Sequence, residues 1–65
     1  MIEPSEDDIG RLVRYIPGHA RGDASHPDCE DGVVTSFNSQ YVFVRYVKDM
    51  TPRATLRRDL IWQFA

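Results

Sequence analysis

Two β-rich runs joined by a single turn pair constrain this chain more than any other feature. Gly32-Val33-Val34-Thr35-Ser36-Phe37 is dense in β-branched residues, Asn38-Ser39 is a turn pair, and Gln40-Tyr41-Val42-Phe43-Val44-Arg45-Tyr46-Val47 alternates along its length. The pattern predicts an antiparallel hairpin over 32–47 that turns at Asn38-Ser39. Side chains alternate across a strand, so Val42, Val44 and Tyr46 share one face while Tyr41, Phe43 and Arg45 share the other. Both sets are apolar over much of their length. The run therefore reads as the central strand, covered on both sides or partly exposed as a binding face.

The flanking segments read as further short elements. Ser5-Glu6-Asp7-Asp8 has the Ser-x-x-acid form of a helix start that Gly10 stops after one turn; an acidic frayed tail is the alternative for residues 1–9. Arg11 to Ile16 predicts a first strand with Val13 and Tyr15 inward and Arg14 wet, ended by Pro17-Gly18. His19 to Asp31 is a long polar loop without periodicity, and loops of that length in compact domains are often functional. Lys48 to Pro52 is a turn, Arg53 to Arg57 a fourth strand, Arg58-Asp59-Leu60 a helical turn, and Ile61 to Phe64 a short last strand. The expectation is one mainly β domain across 1–65.

That order of elements resembles the SH3-like barrel shared by Tudor, chromo-barrel and KOW modules. Gly-Val-Val-Thr, Tyr-Val-Phe-Val-Arg-Tyr and Ala-Thr-Leu-Arg-Arg-Asp-Leu carry the likeness across residues 10–64. It implies a five-stranded barrel with a long loop after the first strand and a one-turn helix before the last. Such barrels host many functions, so the fold names no ligand. The stretch Asp8 to Tyr15, with Gly18-His19 and His26 to Val34, also resembles short proteins encoded by tailed phages and prophages. That likeness implies an accessory protein in a bacterial host cytoplasm.

Composition narrows the classes. At 42% hydrophobic, the 65-residue chain has enough apolar side chain for a thin core and is not of the disordered type. No apolar run approaches a membrane span, and Met1-Ile2-Glu3-Pro4 has no character of a signal peptide. A single cysteine, Cys29, allows no internal disulfide, so a cytoplasmic setting and no membrane partner are expected. The net charge of −2 conceals a split. Residues 1–31 carry eight acids against three arginines, whereas residues 32–65 carry five bases against two acids.

Three constellations bear on function. Arg45, Lys48, Arg53, Arg57 and Arg58 can form a basic face beside Tyr41 and Phe43, with phosphates on cations and bases on rings, as a nucleic-acid platform requires. The acidic total argues against a dedicated nucleic-acid binder, and the candidate binding residues are Tyr41, Phe43, Arg45, Lys48, Arg57 and Arg58. The aromatics exceed what a small barrel needs inside. Tudor and chromo-barrel relatives use clustered aromatics as methyl-ammonium cages, but no cage motif is legible here.

His19, His26 and Cys29 share the long loop, and His26 and Cys29 have a zinc-knuckle spacing. A closed site needs a fourth ligand, for which only Asp23, Asp28 or Glu30 is at hand, so the expectation is a loop without metal and a protein without cofactor. A Cys–His nucleophile would need a pocket that excludes water, for which so small a chain has little room. Arg21-Gly22-Asp23 spells an integrin-binding tripeptide but reads as solvated loop. The leading expectation is a non-enzymatic module that binds another protein through its barrel surface and the 19–31 loop. Nucleic-acid binding is the alternative and a zinc-binding loop a lesser one.

Overall fold

The strands are short because prolines, glycines and polar turns interrupt the alternation every few residues. The computed structural model describes residues 1–63. It contains β1 (Leu12–Tyr15), β2 (Glu30–Phe37), β3 (Tyr41–Tyr46), β4 (Arg53–Leu56) and β5 (Leu60–Trp62), with 3-10 turns at Glu6–Asp8, Gly18–Ala20 and Arg57–Asp59. All five strands pair antiparallel in one sheet of order β4-β3-β2-β1-β5. β4 and β5 are its two edges and do not pair with each other, so the hydrogen-bonded sheet is open.

The hairpin forms as its residues require. Val34 faces Val44 and Phe37 faces Val42, with a bulge between Val34 and Ser36. At the tip the Asn38 amide donates to the Tyr41 carbonyl at 2.9 Å, and the Asn38 side-chain oxygen accepts the Gln40 and Tyr41 amides at 2.8 Å each. That local bonding is why asparagine suits the turn.

Val13, Val34, Val42, Val44 and Leu60 are almost fully buried on the concave face, joined by Ile2 and Tyr46, with Tyr15, Phe37 and Trp62 packed against them. Each such aliphatic side chain contributes about 1.5–3 kcal/mol by leaving water. Gly32 makes room within this layer. A Cβ there would stand 2.5 Å from a Val44 methyl, 2.9 Å from the Arg45 carbonyl oxygen and 3.0 Å from the Tyr46 ring.

The structure departs from the sequence reading at several points. The middle strand is β2, not β3, and only one face of β3 is covered. Residues 1–9 are more than an acidic tail or turn: Ile2 and Pro4 are buried, and the Ile2 amide donates to the Arg57 carbonyl at 3.2 Å. β2 begins at Glu30 because Asp31 and Glu30 pair with Arg14 and Tyr15 of β1, which shortens the loop. The turn before the last strand is Arg57–Asp59, one residue early, so Leu60 opens β5 as a core residue. The strand ends at Trp62, so Gln63 does not continue it as expected, and the expected Phe64 lies outside the described residues.

Candidate functional site

With alternate residues of β3 committed to the core, its other residues must face outward. Tyr41, Phe43 and Arg45 do so, and the register sets Leu56 opposite Tyr41, Ala54 opposite Phe43, and Val33 opposite Arg45. Leu12 continues the row beyond Val33. Leu12 is 46% exposed, Tyr41 36% and Leu56 37%, while Phe43 and Val33 are half-buried by their neighbours. The result is an apolar strip across β1, β2, β3 and β4 with Arg45 at its margin. Among the described residues, no further element lies over it.

The six expected binding residues do not form one face. Tyr41, Phe43 and Arg45 lie together on the strip. Arg58 is exposed beside it, lining a shallow depression with Gln40 and Leu56 near the hairpin tip. Lys48 lies past the opposite end of β3, against Cys29, Glu30, Asp31 and Val47. Arg57 is a fastener rather than a free cation. It donates to the Glu3 carboxylate at 3.1 Å and to the Asn38 carbonyl, tying the N-terminal segment to the hairpin tip. Arg53 likewise pairs with Asp49 at 3.0 Å. The basic half thus presents fewer free cations than its composition implies.

Tyr15, Phe37, Tyr46 and Trp62 serve packing. Tyr15 and Tyr46 meet edge to face with centroids 6.2 Å apart, at the rim of a cleft of about 430 Å³ bounded also by Glu30, Thr55 and Asp59. The Tyr46 hydroxyl shares a hydrogen with Thr55 Oγ1 at 2.7 Å, and burial pushes the Tyr46 phenol above its ordinary value. Arg11 lies over the Trp62 ring at 4.2 Å and pairs with Asp8 at 2.8 Å.

The loop between β1 and β2 holds its form through backbone bonds instead of a core. Successive turns run from Pro17 to Cys29, closed by amides of Ala20, Arg21, Asp23, His26 and Cys29. Arg21 at φ 51° and Gly22 at φ 81° reverse the chain, which places the Arg-Gly-Asp tripeptide on an exposed bend. Asp23 accepts from the Ser25 hydroxyl and amide, and these bonds hold its carboxyl below the usual range.

Arg14, expected to be a solvent-facing residue, anchors the loop's base. Its guanidinium donates twice to Asp31, at 2.8 and 3.1 Å, and once to the Ala24 carbonyl at 2.7 Å.

The histidines are brought together, but Cys29 is not with them. Cys29 Sγ contacts the Asp23 carbonyl at 3.4 Å, so neither a knuckle nor a Cys–His pair is assembled. Asp28 joins the imidazoles instead. Its carboxylate lies 2.7 Å from His19 Nε2, a contact that holds the Asp28 carboxyl below its ordinary range, and its amide donates to His26 Nδ1 at 3.0 Å. The imidazoles meet edge to face at 5.2 Å. The outer roles of Leu12 and Leu56 were available from alternation once the strands were paired. The Asp28 grouping had no signal in linear spacing.

No helix among the described residues is long and apolar enough to cross a membrane. Comparison with protein-family models, curated proteins and solved structures finds no match to this chain.

Proposed function

We propose that this chain is a non-enzymatic protein-binding module of SH3-like barrel type that docks a partner protein on the outer face of its sheet. The observation that carries the reading is the uncovered strip of Leu12, Val33, Tyr41, Phe43 and Leu56 with Arg45 at its margin. Aromatic residues and arginine rimmed by polar groups are the composition that protein interfaces favour, and contiguous apolar surface of this kind on a small domain marks a contact site. Support for the barrel comes from the strand order, the long β1–β2 connection and the 3-10 turn that links the two edge strands. The likeness of Asp8–Tyr15 and His26–Val34 to short phage and prophage proteins supports an accessory role in a host cytoplasm. The nucleic-acid alternative has weaker support, since Arg53 and Arg57 are already paired with carboxylates.

Affinity capture from the source cell's extract at about 50 and about 200 mM salt separates the two readings. A partner held by the strip stays bound at both and is lost when Tyr41 and Leu56 are both changed to serine. Capture that collapses at the higher salt, or that ignores the double change, overturns the reading.

A further inference from the structure

We infer that His19, His26 and Asp28 form a binding site for a borderline divalent cation of the zinc type. One donor atom from each residue lies within 4.8 Å of the other two, although nine residues of chain separate His19 from Asp28. Two imidazole nitrogens and a carboxylate oxygen are a donor set that zinc favours, and hard cations such as magnesium do not select nitrogen. Tetrahedral zinc with bonds of about 2.0–2.2 Å spaces its ligand atoms about 3.4 Å apart. The donor atoms of the present cluster, all within 4.8 Å of one another, are thus close to that spacing. Water completes the fourth position, because the His19 and Asp28 side chains are 62% and 60% exposed.

The expectation of a metal-free loop rested on Cys29 as the third ligand and on a closed four-ligand site. Neither premise describes this cluster. The turn that bonds the Cys29 amide to the His26 carbonyl directs Sγ to Asp23, and Asp28 takes the place beside the imidazoles. The scaffold is held independently of the metal by the chain of turns and by Arg14 on Ala24 and Asp31. Zinc must displace the His19 to Asp28 hydrogen bond, and also the Asp28 amide when His26 ligates through Nδ1. The ligand exchange needs no change in the sheet.

The test is isothermal titration of zinc into tag-free protein near neutral pH, with magnesium as the contrasting cation. The inference predicts one zinc per chain, no magnesium binding, and movement of the His19 and His26 imidazole resonances on addition of zinc. His19→Gln, His26→Gln and Asp28→Asn each weaken zinc about tenfold or more, whereas Cys29→Ser leaves it unchanged. Far-UV dichroism without zinc confirms that each variant folds, and exposed side chains make that the expected result. Absence of saturable zinc binding overturns the inference. So does stoichiometric zinc retained by His19→Gln and His26→Gln, or zinc lost in Cys29→Ser.

Discussion

The two faces of β3 carry similar residues and do opposite things. Val42, Val44 and Tyr46 disappear into the core, whereas Tyr41, Phe43 and Arg45 face outward from a sheet that no other described element covers. Hydrophobicity alone does not separate them; pairing does. Val44 meets Val34 over a concave layer closed by Leu60 and Ile2, while Tyr41 meets only Leu56, itself exposed. The inner face is where this small protein obtains its stability, and the outer face leaves apolar surface exposed.

The sharpest way to break that contrast is Gly32→Ala. The new Cβ would meet backbone and core methyls at once, so a loss of about 3 kcal/mol is expected, read as a lower urea midpoint at unchanged slope. Val44→Ala follows with a loss of about 2 kcal/mol, since Val44 is fully buried and its removal leaves a cavity in the core. A variant that melts with the parent would reverse the assignment of faces.

Tyr46→Phe comes next, at about 1 kcal/mol, because Thr55 Oγ1 loses its buried partner. The same phenol makes a pH prediction. Its folded pKa is raised by burial, so the stability it confers is whole below the unfolded value of about 10 and is lost as pH rises through the folded one. Denaturation midpoints followed into alkali should fall from near pH 10, and the fall should be shallower in Tyr46→Phe. The smallest effect belongs to the outer face. Tyr41→Ser and Leu56→Ser together should cost less than about 1 kcal/mol, as exposed cross-strand pairs do. A loss comparable to that of Val44→Ala would mean the strip serves the fold.

What could be read from the sequence follows the same physical division. The hairpin was legible because period-two alternation and Asn38 both act locally, and Val42, Val44 and Tyr46 were placed on one face before any contact was known. Ile2 was not, because its burial depends on a bond to Arg57 at the other end of the chain. Arg14 looked solvated by alternation, yet Asp31 lies opposite it only after β1 and β2 pair. Of the candidate binding residues, Tyr41, Phe43 and Arg45 share a strand and so were legible as a group. Arg57 was not separable from them, since its carboxylate partner Glu3 is distant in sequence, and Lys48 was not, since its place past the end of β3 is a matter of the turn. In the loop, the spacing of His26 and Cys29 suggested a pair that the turn geometry then separates, while the proximity of His19 to Asp28 arises from the path of the chain around Arg21 and Gly22.

Photo-crosslinking in the source cell tests the central claim most directly. A photoreactive side chain is placed either at position 41, on the outer strip, or at position 25, on the exposed loop. The account predicts a discrete protein adduct from position 41 and none from position 25. No adduct from position 41, or an adduct from position 25 alone, would contradict it.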